Sequence, residues 1–162
     1  MIRPDQLRYR PVADSDGPAL FRLFLQTHAD EVATLAAEPG LRDALASMRY
    51  VEQRVQVRTE FPDAVDIAIE NEGTLCGRLL TVMRGGGIQL VQLCVLAEQR
   101  GRGIGTCAMH RLARIADEHD CQIWLPADAG SQDCRGFLER VGFTVTGRAG
   151  RLLVAPRADV AA

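Results

Sequence analysis

The chain has no lysine, and all 19 of its Lys+Arg residues are arginines. That excludes a P-loop, whose grip on phosphates needs a Gly-Lys-Ser/Thr step. No apolar run approaches the roughly 18 residues that a membrane span needs. The opening Met1-Ile-Arg-Pro-Asp has no apolar core of a secretory leader, so a cytoplasmic protein without membrane contact is expected. Neither sign of charge dominates: the formal net charge is −2, which gives no general affinity for nucleic acid. The five cysteines, Cys76, Cys94, Cys107, Cys121 and Cys134, include no C-x-x-C pair and lie mostly in apolar segments. They read as reduced, buried thiols, not as a disulfide framework or a zinc site. His28, His110 and His119 show no ligand-like spacing to one another or to an acid cluster, so no metal is expected.

What is present suits one globular domain with a sizeable core. The chain has 162 residues, 47% apolar and 25% charged, with no repeat, low-complexity tract or linker. Leu7 to Val12 alternates as a strand, with Leu7, Tyr9 and Pro11 on one face. Asp14-Ser15-Asp16 offers caps for a helix whose Leu20, Leu23, Phe24 and Thr27 fall at helical spacing. Glu38-Pro39-Gly40 breaks the chain before a second helical region, about Leu41 to Thr59. Ala64 to Glu70, Thr74 to Met83 and Ile88 to Leu96 read as three antiparallel strands, joined by turns at Asn71-Glu72-Gly73 and Arg84-Gly85-Gly86-Gly87. A helix then runs to about His119-Asp120, followed by the strand "CQIWLPA", a short helix ending at Arg140 and a turn at Val141-Gly142-Phe143. The strands "TVTGR" and "RLLVA" come last, and residues 156–162 read as a frayed tail.

Between the third antiparallel strand and its helix stands Arg100-Gly101-Arg102-Gly103-Ile104-Gly105-Thr106. Ile104, Ala108, Leu112, Ile115 and Ala116 recur at spacings of four and three, so the loop opens directly into a helix. A helix N-terminus carries unpartnered N–H groups and a partial positive charge, and it can hold a phosphate. Two arginines add charge, and three glycines let the backbone come close. The stretch reads as a pyrophosphate cradle. It fits the dinucleotide fingerprint poorly, because Thr106 takes the sixth position and the next strand, Cys121 to Leu125, holds no acid.

Arg100-x-x-Gly103-x-Gly105 resembles the acyl-CoA-binding signature Q/R-x-x-G-x-G/A of the GNAT superfamily of N-acetyltransferases. A strand precedes it, a helix follows it, and "SQDCRGFLERVGF" (Ser131 to Phe143) is similar to the family's penultimate helix with its Gly-Phe turn. The resemblance spans roughly Leu7 to Ala155 and is specific in Leu90 to Thr106 and Ser131 to Phe143. It implies an α/β fold with a twisted mixed sheet flanked by helices. It also implies transfer of an acyl group, usually acetyl, from acetyl-CoA to a primary amine by direct attack in a ternary complex. The implied cofactor contacts are the backbone of Leu93, Cys94 and Val95 along the pantetheine arm, and Arg100, Gly101, Arg102, Gly103, Ile104, Gly105 and Thr106 around the pyrophosphate. A main-chain N–H near Cys94 would stabilise the oxyanion. The first two helices would flank the acceptor side, and the late strands offer an edge for a homodimer.

The sequence departs from that pattern where protons move. An alkylamine costs roughly 4 to 5 kcal/mol to hold neutral at pH 7, and the family commonly uses an acid near the cofactor strand and a tyrosine on the penultimate helix. Here the strand carries Gln89 and Gln92, Leu138 stands at the tyrosine's place, and Ser131 replaces an asparagine. Glu52, Glu60, Asp128 and Asp133 are the acids left to act through water, and no general base or acid is assigned. A non-catalytic acyl-CoA-binding or partner-binding module on the same fold is the alternative. Cys94 and Cys134 read as core thiols, Tyr9 and Tyr50 as packing, and His110 and His119 as solvent-facing. Arg49, Arg54 and Arg58 fall four or five apart on the second helix and read as a solvated stripe. The acceptor stays open among small amines, peptide N-termini, lysine side chains and antibiotics.

Overall fold

The computed structural model describes residues 1–128 and 132–157. Leu7–Pro11 (β1) leads through a short turn into helices Gly17–Thr27 (α1), Ala29–Ala33 (α2) and Pro39–Glu60 (α3). Val65–Asn71 (β2), Thr74–Arg84 (β3) and Gly87–Val95 (β4) follow as an antiparallel meander, and β1 pairs with β2. The β2–β3 turn places both Glu72 and Gly73 at positive φ, 51° and 77°, the backbone twist that a two-residue hairpin loop needs. Ile104–Glu118 (α4), Gln122–Pro126 (β5), Gln132–Arg140 (α5), Phe143–Arg148 (β6) and Arg151–Pro156 (β7) complete the chain.

One seven-stranded sheet results, in the order β1-β2-β3-β4-β5-β7-β6, antiparallel except where β4 meets β5. The family-like mixed sheet expected from sequence is therefore present. Helical spacing puts Ile104, Ala108, Met109, Leu112 and Ala116 of α4 on one sheet face, against Ile69, Leu79, Ile88, Leu90, Ile123 and Leu125. On the other face, Leu20, Leu23 and Phe24 of α1 and Tyr50 of α3 pack on Ala68, Leu75 and Leu96. Among the described residues no helix is long and apolar enough to cross a membrane.

Two helix boundaries differ from the sequence reading. The α2 turn goes unread because its five residues bring one half-buried apolar side chain, Val32, and no periodicity. The Glu38-Pro39-Gly40 breaker is the start of α3. There the Glu38 carboxylate accepts from Gly40 N–H at 2.9 Å and Leu41 N–H at 2.6 Å, with proline at the first helical position. At the other end Pro156 pairs with Phe143 in the β6–β7 ladder, so it belongs to the sheet. Residues 158–162 of the expected tail lie outside the described residues, as does Ser131.

One ion cluster ties β1 to the turn before α1. Arg10 Nη1 and Nη2 donate to the two Asp16 oxygens at 2.7 Å each, and Arg10 Nε donates to Glu70 Oε1 at 2.7 Å. The guanidinium holds the buried Asp16 carboxyl below the usual aspartate range. A carboxylate so depressed contributes stability above its unfolded pKa and loses it as pH falls through the folded value. Arg10→Met is therefore expected to lower the urea midpoint at pH 7, with the gap to the parent narrowing as pH drops below the ordinary aspartate range. A gap that stays constant down to pH 3 would contradict this account.

Candidate active site

β4 and β5 touch over only three rungs, Gly87 with Gln122, Ile88 with Ile123 and Gln89 with Trp124. Beyond them β4 continues to Val95, paired to β3 alone among the described residues. Two local features open this cleft. Leu80 faces Gln92 while Thr81 faces Leu90, so Val91 is an extra residue that bends β4. Pro126, which has no N–H, ends β5.

Register decides which backbone groups face the opening. Leu96 N–H donates to Cys76 O at 2.8 Å. The two-residue alternation of an antiparallel ladder then turns the N–H and C=O of Cys94 toward β3, and those of Leu93 and Val95 away from it. Consistently, a Cβ on Gly77 of β3 would lie 2.8 Å from Cys94 O, and Val95 O accepts from Arg100 Nε at 3.0 Å. The main-chain donor expected at Cys94 is thus engaged in the sheet. The donors that face the cleft belong to Leu93 and Val95.

At the end of β4 a turn at Ala97–Gln99 brings in the glycine loop. Gly101 and Gly103 sit at φ 72° and 88°, conformations that side chains rarely adopt. Cys107 N–H closes the first turn of α4 onto Gly103 O at 2.9 Å, and among the described residues no side chain caps the N–H groups ahead of it, which leaves them as donors for a ligand. The Cβ direction at Gly101 is open, whereas a Cβ on Gly105 would lie 2.9 Å from the Phe137 ring. The absence of a side chain at Gly105 thus leaves room for the Phe137 ring of α5 against α4. Ile104 buries its side chain in the core and leaves only backbone for the loop, with half-buried Thr106 two residues on. Arg102 Nη1 donates to Gln99 Oε1 at 2.6 Å, and among the described residues neither Arg100 nor Arg102 has a carboxylate partner. Their charge is free for an anion.

The Cys94 side chain points to the opposite face, where it packs with the α1 cluster and contacts Thr27. Burial pushes its thiol, and that of Cys76, up to about 11. Since the thiolate is the reactive form, Cys76 and Cys94 are expected to resist iodoacetamide at pH 7.5 in the folded protein. Mass spectrometry should find both alkylated only after urea unfolding. Fast labelling of Cys94 in the native state would reopen a nucleophilic role.

Leu138 is 1% exposed within the α4-side core, so α5 presents no hydroxyl there. Gln92 Oε1 accepts from Arg78 Nη1 at 3.2 Å, while the Oε1 of buried Gln89 has no partner among the described residues. Glu52, Glu60 and Asp128 are exposed, and the side chain of Asp133 lies outside the described residues. His28 sits 3.0 Å from Phe24 O, half-buried His110 lies 5.3 Å from the Phe143 ring, and His119 closes α4. His110 is thus less solvent-facing than its helix position suggests. Tyr9 packs beneath the Arg111 guanidinium. Among the described residues no three His, Cys, Asp or Glu side chains are grouped to hold a metal.

Sequence reasoning missed the pair Asp66–Arg78. Arg78 Nε and Nη2 each donate to an Asp66 oxygen at 2.7 Å on the face opposite α4, beside Gln92. The only signal is a polar residue interrupting each of two apolar strands. The arginine stripe also divides. Arg49 reaches Glu31 at 3.9 Å and Glu52 at 3.8 Å, while Arg54 and Arg58 line a cavity of about 530 Å³ beside Asp66 and Arg78.

A mixed sheet parted between β4 and β5, with a glycine loop opening a helix at the mouth of the gap, is the framework of an acyl-CoA-dependent acyltransferase. The model of the acetyltransferase (GNAT) family matches residues 29–143, and the chain belongs to that family. It is an acyltransferase whose acyl donor is acetyl-CoA. Among solved structures, the chain is similar to a PaiA N-acetyltransferase from Thermoplasma acidophilum in complex with coenzyme A, at 14% identity, TM-score 0.60, covering 91% of this chain and 96% of that one. It is similar to a histone acetyltransferase HPA2 and related acetyltransferase from Corynebacterium glutamicum at 15% identity and TM-score 0.63, covering 93% and 97%. A chimera of Vibrio cholerae spermidine N-acetyltransferase SpeG and hSSAT shows 13% identity and TM-score 0.60, covering 95% and 97%. These likenesses establish the fold alone. No curated protein sequence matches the chain.

Proposed function

We propose that the protein transfers acetyl from acetyl-CoA to the primary amine of an acceptor bound beside it, by direct attack. The observation that carries this reading is the three-rung junction, which leaves the outward backbone of Leu93 and the N–H of Val95 without a strand partner among the described residues, a few residues from the start of α4. Acetyl-CoA supplies the acetyl group as a thioester. The Leu93 main chain and Val95 N–H pair with the extended arm of the donor, and one of these N–H groups faces the negative charge that develops on the carbonyl oxygen. The backbone from Arg102 to Thr106, with Arg100 and Arg102 nearby, receives the pyrophosphate. Arg100 also fixes the end of β4 through Val95 O.

The amine nitrogen attacks the carbonyl carbon, the C–S bond breaks, and the coenzyme leaves as thiolate. With Leu138 buried and no acid on β4, water takes the amine proton and returns one to the thiolate. Holding both reactants in line supplies the acceleration, and orientation alone is worth several kcal/mol. With this reading go one domain over the whole chain and a cytoplasmic setting.

Calorimetric titration with acetyl-CoA, CoA and ATP tests the donor site, and release of free thiol with a panel of amines tests transfer. Micromolar binding of both CoA ligands but not ATP, followed by turnover, is the expected result. Binding without turnover would make this a non-catalytic acyl-CoA-binding module, and no binding would remove the reading.

A further inference from the structure

α3 carries a second constellation. Tyr50, Arg54 and Arg58 recur at four-residue intervals and face a cavity of about 530 Å³, floored by Leu80 and the Asp66–Arg78 pair. Tyr50 is 9% exposed, and its buried Oη has no hydrogen-bond partner among the described residues. Buried hydroxyls are rarely left unpaired in folded chains, and this one belongs to a residue that lines the cavity. The Arg54 guanidinium lies 5.6 Å from the centre of the Tyr50 ring. Among the described residues neither Arg54 nor Arg58 has a carboxylate partner, in contrast to Arg49 on the same helix.

The charges of the cavity do not cancel. Asp66 and Arg78 neutralise each other through two 2.7 Å bonds. That leaves Arg54 and Arg58, among the described lining residues, against the carboxylate of exposed Asp14. The cavity approaches β4 through Arg78, which lines it, stands opposite Cys94 in the β3–β4 ladder and bonds Gln92. A polyamine would bring further positive charge to two uncompensated guanidiniums. An acceptor with both an amine and a carboxylate would satisfy them.

We propose that this cavity binds the acceptor, that the acceptor is an α-amino acid, and that Arg54, Arg58 and the Tyr50 hydroxyl hold its carboxylate while its amine is presented to the thioester. The assignment rests on the acetyl-transfer reading. It places no other demand on the chemistry, since the same C–S bond breaks and the same amide bond forms.

The test is a thiol-release panel in which each common α-amino acid is assayed beside its carboxamide and beside spermidine, after acetyl-CoA binding has been verified by titration. Acids are expected to exceed their amides and spermidine in kcat/KM by about tenfold or more, the discrimination that one charge-assisted contact gives. Arg54→Ala and Arg58→Ala should each raise KM for the best acid about tenfold, with kcat within about threefold, and bring the acid-to-amide preference toward one. Tyr50→Phe, which removes only the unpaired hydroxyl, should raise that KM without lowering the melting temperature. If amides or spermidine serve as well as acids, if the preference survives both arginine changes, or if no amine is accepted by protein that binds acetyl-CoA, this assignment falls and the donor site stands. Folded protein that binds no acetyl-CoA would instead remove the reading beneath it.

Discussion

Gly103→Glu is expected to weaken acetyl-CoA binding at least about a hundredfold while leaving a folded protein. The position serves the loop in three ways. It holds φ 88° as the residue that caps α4, it precedes the N–H groups that face a pyrophosphate, and its carbonyl closes the first helical turn. A glutamate there brings a like charge to the anion and turns the loop out of its left-handed conformation. Loss of two charge-assisted hydrogen bonds at about 1.5–3 kcal/mol each amounts to two to four decades in affinity. The structural cost is smaller, about 1–2 kcal/mol for a side chain at positive φ. The new Cβ would also run into the Met1 thioether, but that side chain is 97% exposed and free to swing away. Calorimetry on parent and variant, with far-ultraviolet circular dichroism to verify folding, decides the matter. A folded variant that binds acetyl-CoA within about threefold of the parent would show that this loop is a helix cap and nothing more.

The features legible in the sequence are those that a short window determines. The glycine loop, the helix after it and the strands of the meander each follow from spacing within ten or fifteen residues, and α4 carries its buried stripe at the expected period. Tertiary pairings are not so encoded. Cys94 and its neighbours exchange roles because the ladder is set by Cys76 and Leu96 and by the extra residue Val91, and a slip of one residue reverses every backbone direction. Nothing local to "VQLCVL" states that register. The same limit separates Arg49 from Arg54 and Arg58: helical spacing relates them to each other but does not say which of them turns to the sheet. Asp66 and Arg78 are twelve residues apart and meet across two strands, a contact with no signature beyond two polar interruptions in apolar runs. Leu138 is the opposite case. Its place in a family-like motif is evident from the sequence, and the structure adds that its side chain is buried in the core.

Gly87 shows how much a residue read only as part of a turn can hold in place. A Cβ there would run into the main-chain carbonyl oxygen of Gln122, with the carbonyl carbon 3.3 Å away. That carbonyl belongs to the first of the three rungs joining β4 to β5, and a backbone group cannot rotate aside as a side-chain tip can. Gly87→Ala must therefore widen the one junction that connects the β1–β4 half of the sheet to the β5–β7–β6 half. The expected loss is about 3 kcal/mol, the upper end for an overpacked site, or a fall of about 6–12 °C in melting temperature for a domain of this size. Gly147→Ala in β6 is the matched control. Its Cβ meets nothing within 4 Å, so its melting temperature should stay within about 1–2 °C of the parent. Equal melting temperatures for the two variants would contradict the clash. Because the splay beyond Gln89 starts from this junction, acetyl-CoA affinity of the folded Gly87→Ala protein should also fall by about tenfold or more, the worth of one lost charge-assisted contact. A variant that loses stability but keeps its affinity would make the three rungs a tether between the sheet halves, with the cleft shaped by the Val91 bulge alone.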